Sequence, residues 1–215
     1  MTVAAQLRQW IQHGRLAPGT RIVERTVAAE LGVSHIPVRE ALARLEDEGL
    51  VVRLPRRGAR VAELTARGLE ETSSLRVVLE GLVVVRAQER LTDEGRQELE
   101  AIVGEMMEAA RATDVQRVLA QDQRFHETLW RLADHEVLLE VSARMRGRMN
   151  AFLRAAATSL APDALVRHGQ THEALLRTIV DGDPQAAALA MREHIEVAAE
   201  RIAICNQFGP GARPS

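Results

Sequence analysis

The sequence predicts a mainly α-helical protein with one small β-hairpin near its N-terminal third. Three observations carry this. Apolar residues recur at helical spacing along most of the chain, with Ser, Thr or Asp at the helix starts. Three Phe, two Trp and no Tyr leave a core of Leu, Val, Ala and Met, which suits helix packing better than a β-sandwich. The hairpin signal is confined to two short β-branched runs, 51–54 and 60–63, joined by the turn Pro55-Arg56-Arg57-Gly58.

In chain order, residues 2–13 read as a first helix with Val3, Leu7, Trp10 and Ile11 inward, followed by a turn at Leu16 to Gly19. A short helix follows, with Val27, Ala28 and Leu31 on its apolar side. Gly32 ends it, because a residue without Cβ takes the left-handed turn conformation without strain. Ser34 stands as N-cap of the next helix, and Pro37 falls in its first turn, where the amides are unpaired anyway. Val38, Ala41, Leu42 and Leu45 then face the preceding helix, and His35, Arg39 and Arg44 face outward. Two short helices joined by a Gly turn make a helix-turn-helix, and a basic-tipped hairpin directly behind makes it winged. Read alone, the helical pair is as compatible with a solvated basic face as with DNA binding.

Beyond the hairpin, helices are expected at about 66–90, 93–111, 114–133, 135–157, 163–181 and 184–205. Their starts are marked by Thr65, Thr92, Thr113, Asp134 and the pair Asp183-Pro184. Short connections predict an antiparallel all-α bundle. The domains expected are 1–63, 64–207 and a disordered tail at 208–215. The formal net charge of −2 excludes a protein that coats nucleic acid. Yet residues 1–62 hold ten Arg against six acids, net +4, while the remainder is net −6, so the basic part carries the helix-turn-helix. No signal peptide or membrane span is expected, and the single cysteine, Cys205, fits a reducing cytoplasm and reads as a small apolar residue.

Chemistry in the helical part gathers at Asp122-Gln-Arg-Phe-His126, one turn apart on one helix, and at His172 and His194 on two later helices. A hairpin pivoting near residue 182 brings the last two nearly level. One carboxylate and three imidazoles make a site for Zn²⁺ first, with Ni²⁺ or Mn²⁺ as alternatives. His168, one turn before His172, is a substitute ligand ranked below His126, and His13 and His135 read as surface residues. Coincidental spacing among seven histidines is the competing reading.

The run Gly14 to Thr20, then Glu24-Arg25, then LGVS, PVREALARLEDEGL and a Gly-tipped wing, resembles the operator-binding domain of the GntR family of bacterial transcription regulators. The resemblance implies operator contacts by Arg25, Ser34, His35 and Arg39, with Arg57 and Gly58 at the wing tip. His35 stands where that family usually has Arg, and an imidazole makes fewer hydrogen bonds than a guanidinium. Residues 66–207 resemble the FadR-type ligand-sensing domain called FCD. Its metal-binding members match at Asp122, His126, His172 and His194.

That resemblance makes Arg76 a candidate for an effector carboxylate; the alternative is a helix-surface ion pair with Glu80. The function implied is a homodimeric, cytoplasmic bacterial regulator that binds double-stranded operator DNA. Repression is the commoner arrangement, and a small organic acid or sugar acid at the metal site is the expected control. Two alternatives are a metal-dependent enzyme with an appended DNA-binding module and a metal-free dimerisation bundle. No HExxH occurs, which disfavours the enzyme.

Overall fold

The computed structural model describes residues 2–12, 15–54, 58–63, 65–141 and 162–205. These fall into two compact units that divide between Thr65 and Ala66.

The first unit runs α1 (Val3–Gln12), β1 (Arg21–Ile22), α2 (Glu24–Leu31), α3 (His35–Asp47), β2 (Val51–Leu54) and β3 (Gly58–Val61). Leu7, Ile22, Val38, Leu42, Leu45, Ala59 and Val61 are almost wholly buried in one core, so the periodic apolar positions of both helices converge on the sheet. Gly32 ends α2 with φ 65° and ψ 33°, and Ser34 occupies the N-cap of α3 without a capping hydrogen bond from its side chain.

The sheet differs from expectation in two ways. It has three strands in the order β1-β3-β2, both pairings antiparallel, and β3 runs from Gly58 to Val61 instead of 60–63. The cause is β1, a two-residue strand too short to leave a sequence pattern, which pairs Arg21 with Arg60 and Ile22 with Ala59. Gly58 must then approach β1 closely. Its φ is +84°, and a Cβ there would lie 2.4 Å from the carbonyl oxygen of Ile22. Pro55, Arg56 and Arg57, which hold most of the expected wing turn, lie outside the described residues.

The second unit is all helical: α4 (Ala66–Glu89), α5 (Asp93–Arg111), α6 (Val115–Leu132), a helix α7 over 136–141, α8 (Pro162–Asp181) and α9 (Pro184–Cys205). Helix α4 packs on α9 and α6, α5 packs on α6 and α8, and α8 packs on α9. Thr92 caps α5 by accepting from the Gly95 amide, and Asp183 accepts from the Ala186 amide at 2.8 Å with Pro184 opening α9.

Two expected caps move by one residue. Thr113 is drawn into the left-handed turn that ends α5, with φ 57°, so Asp114 caps α6 by accepting from the Arg117 amide. Asp134 likewise has φ 48°, and the Leu138 amide points at His135 Nδ1, which leaves His135 half-buried and not simply on the surface. Most of the expected 135–157 helix, the tail at 208–215 and His13 lie outside the described residues. Among the described residues no helix is long and apolar enough to cross a membrane.

One side chain sets where the α8–α9 hairpin sits. Gln88 of α4 donates to the carbonyls of Ile179 and Gly182, at 2.8 and 2.7 Å. These bonds satisfy carbonyls left open at the C-terminus of α8. They also seat the hairpin that carries His172 and His194.

Candidate functional site

In the first unit, a cleft of about 680 Å³ is lined by Arg21, Arg25, His35, Arg39 and Arg53, with Glu24, Glu46 and Gly58 among its walls. Helix α3 contributes His35 and Arg39 one turn apart near its N-terminus, and both are exposed. Ser34 is exposed beside them, and Ile36 is 68% exposed next to His35. Arg39 is held by Glu24, its Nε donating to Oε2 at 2.7 Å. Such a bond on an exposed arginine is weak and orients the fork without burying it. Arg21 and Arg53 were not singled out from sequence. Arg53 lies on the same strand face as buried Val51 and β1 is only two residues long, so alternation gave no signal for either. Four arginines and an imidazole around one cleft, beside an exposed helix start, can take phosphates and base edges together.

In the second unit, Asp122, His126, His168, His172 and His194 are all buried. Donor atoms of His126, His172 and His194 lie within 4.8 Å of one another, as do those of Asp122, His168 and His172. His172 belongs to both sets, so it is the centre of the cluster, and the rings of His172 and His194 stand 4.4 Å apart by centroid. Asp122 and His126 share one face of α6 by their i,i+4 spacing, and Phe125 lies edge-on to both His126 and His172.

Several ring nitrogens of the cluster lack a partner. His126 Nδ1, His168 Nε2, His172 Nε2 and His194 Nδ1 are buried without a hydrogen-bond partner. His172 Nε2 comes within 3.3 Å of Asp122 Oδ1, and His168 Nε2 within 3.0 Å, but neither is aligned for a hydrogen bond. Unpaired nitrogens facing a carboxylate in a buried site are costly, and a divalent cation would satisfy the carboxylate and those nitrogens that keep a lone pair. The residues present therefore fit a metal ion. An outer layer supports them. His172 Nδ1 donates to the His168 carbonyl at 2.9 Å, leaving Nε2 with its lone pair. Glu80 Oε2 lies 2.9 Å from His126 Nδ1, while Glu80 Oε1 accepts from Arg76 Nε at 2.5 Å.

Arg76 and Glu80 do form the expected pair, but it is buried rather than at the helix surface, with side chains 7% and 4% exposed. Sequence reading named Glu80 only as a helix-surface partner of Arg76, and ranked His168 below His126. The signal for Glu80 was its helical spacing: 69, 76, 80, 83 and 87 make one face of α4, and that face is inward.

Protonation follows this geometry. Burial opposes ionisation of Glu80, yet Arg76 and His126 outweigh it and hold the carboxyl down at about 2. Burial raises the cost of charging Asp122 too, but His168 and His172 keep it well below the usual range. Burial pushes His172 down to about 4, and burial with the neighbouring His172 and His126 depresses His194 as well. Both rings are thus neutral near pH 7, the form that binds metal.

For metal-free protein the sign is fixed. The unfolded chain binds a proton at His172 near the ordinary value of 6.5, which the folded chain refuses down to about 4. Stability from this group is complete above pH 6.5 and is lost as pH falls toward 4, by about 3 kcal/mol. Thermal melts of chelator-treated protein between pH 7.5 and 4 should show that decline, and a flat profile would contradict the burial of a neutral His172.

Comparison with known proteins agrees with this division. Residues 1–61 match the bacterial regulatory proteins of the gntR family, and residues 71–197 match the FCD domain. The chain is 26% identical to the HTH-type transcriptional regulator McbR of Escherichia coli over 96% of its own length and 92% of that protein's. It is 34% identical to the gluconate operon transcriptional repressor of Bacillus licheniformis, over 70% of its own length and 62% of that repressor's. The solved structure of E. coli McbR/YncC superposes with a TM-score of 0.73 at 26% identity, covering 97% of each chain. These families and relatives are regulators of transcription and not enzymes. With a winged helix-turn-helix before an all-helical ligand-binding domain, the chain belongs to the GntR family of bacterial regulatory proteins, among its members that carry an FCD domain.

Proposed function

We propose that this chain is a FadR-type, cytoplasmic, homodimeric repressor whose hold on its operator is controlled by a small carboxylate bound at a divalent metal. Residues 1–63 would read DNA and 64–207 would sense and dimerise, with 208–215 as a tail. Asp122, His126, His172 and His194 would hold the ion, Zn²⁺ first, with Ni²⁺ or Mn²⁺ as alternatives. The observation that carries the reading is the convergence of buried His126, His172 and His194 donor atoms within 4.8 Å of one another, with His172 Nε2 and His194 Nδ1 left without a hydrogen-bond partner. When bound, the metal supplies a Lewis-acid anchor for an oxygen anion.

The chain's own residues do the remainder. His172 and His194 are kept neutral by burial, and Glu80 orients His126. Arg76, whose Nε is fixed by Glu80, would offer the rest of its fork to an effector carboxylate. The gluconate repressors among the relatives support a sugar acid or related organic acid. A dimer is supported by Leu75, Val78 and Leu82, an exposed apolar stripe on α4 at 47%, 69% and 46%. Arg25, Ser34, His35 and Arg39, with Arg57 and Gly58 of the wing, would contact each operator half-site.

The test is duplex selection from a random library, then anisotropy titration at fixed salt. A pseudo-palindrome should emerge, and Arg39→Ala should weaken it by about 1–3 kcal/mol. An organic-acid panel should shift affinity in metal-loaded protein and leave Asp122→Ala unmoved. Equal operator affinity for Arg39→Ala, or no response to any acid, would count against the corresponding half of the reading.

A further inference from the structure

His168 and His172 compete for the same carboxylate. One turn apart on α8, with ring centroids 4.7 Å apart, they bring Nε2 to 3.0 and 3.3 Å from Asp122 Oδ1. Proximity alone would make both of them ligands. Their other nitrogens separate them. His172 Nδ1 lies 2.9 Å from the His168 carbonyl oxygen, which can only accept, so Nδ1 carries the proton and Nε2 keeps its lone pair. His168 Nδ1 lies 3.2 Å from Arg201 Nη2, and a guanidinium can only donate. The lone pair of a neutral His168 is therefore spent on Arg201, and its proton sits on Nε2, facing Asp122. A nitrogen bearing a proton has no lone pair for an ion.

We propose that His168 is not a fifth ligand but a positioning residue: Arg201 sets its tautomer, and its Nε2–H, 3.0 Å from Asp122 Oδ1 though not aligned for a hydrogen bond here, attracts the Asp122 carboxylate and sets its orientation toward the metal. This rests on the metal site proposed above. It makes Arg201, on α9, part of the site although it touches no ligand directly in this arrangement. It also leaves the ion with four protein donors instead of five, so that more of its coordination remains for an effector.

Two measurements test it on the full chain purified without a histidine tag. In metal-free protein, two-bond ¹H–¹⁵N spectra of labelled histidine should give the Nε2–H tautomer for His168 and the Nδ1–H tautomer for His172. Loss of one signal set in His168→Gln supplies the assignment. The Nδ1–H tautomer at His168 overturns the proposal whether or not metal binds.

In the second measurement, Co²⁺ absorption and Zn²⁺ competition are read for variants. His168→Gln keeps an N–H near the place of Nε2, so it should keep the wild-type spectrum and affinity. His168→Leu should keep the band positions and lose roughly 10–100-fold in affinity. His172→Gln should lose the spectrum. Arg201→Met should weaken binding several-fold in the wild-type background and not in His168→Gln. A spectrum altered in His168→Gln as in His172→Gln would make His168 a ligand, and wild-type affinity in His168→Leu would make it a bystander; either overturns the proposal. Equal weakening by Arg201→Met in both backgrounds removes Arg201. A wild type that takes up no metal overturns the metal-site reading and the role of His168 in it, a failure distinct from those seen in metal-binding protein.

Discussion

His172→Ala is expected to abolish the rise in melting temperature that Zn²⁺ gives the wild type. An ion that binds only the folded state stabilises it by about 4 kcal/mol at a thousandfold excess over its dissociation constant. His172 belongs to both sets of clustered donors, so its removal strips each of them to a pair. The loss in affinity should therefore exceed the 10–100-fold typical of an outer-layer change. Because a neutral, wholly buried imidazole is replaced by a methyl, the metal-free variant should still fold, with a penalty from the cavity. A variant that melts like the wild type with and without Zn²⁺ would show that His172 is core and nothing more.

Glu80→Ala should be the most damaging single change to the metal-free fold, at about 3–5 kcal/mol, read as a lowered midpoint in urea. It leaves the Arg76 guanidinium buried without its counter-charge. It also removes the only carboxylate within reach of His126 Nδ1 among the described residues. Glu80→Gln separates the two roles. The amide keeps a polar partner for both neighbours but no charge, so it should recover part of the stability and less of the metal affinity. If Glu80→Ala unfolds at the wild-type midpoint, the Arg76–Glu80 pair does not hold α4 in the way its burial requires.

Much of this was legible in the residues. Helix α3 could be read because Gly32 and Pro37 each do a local job that needs no tertiary partner, and Ser34 takes the N-cap position even though its side chain makes no capping bond. Asp122 and His126 could be put on one face of α6 because four residues is one helical turn, though their donor atoms fall in different clusters that share only His172. His172 and His194 could be levelled because Asp183-Pro184 marks the hairpin's pivot. What escaped depends on which helix meets which. Glu80 reaches His126 only because α4 packs on α6, and Arg201 reaches His168 only because α8 packs on α9, 33 residues apart in sequence. β1 escaped for a different reason, since two residues carry no alternation and acquire strand character only from pairing with β3. The caps at 113 and 134 were misplaced by one because a left-handed residue ending one helix stood where a capping side chain was expected.

Metal content of the untagged protein, purified without chelator and measured by elemental mass spectrometry beside Asp122→Ala, bears most directly on the sensing site. The buried, unpartnered nitrogens around His172 predict about one divalent ion per chain in the wild type and little in the variant. No ion in the wild type, with melting unchanged by added Zn²⁺, Ni²⁺ or Mn²⁺, would contradict the metal centre and leave a DNA-binding bundle whose clustered histidines serve only its core.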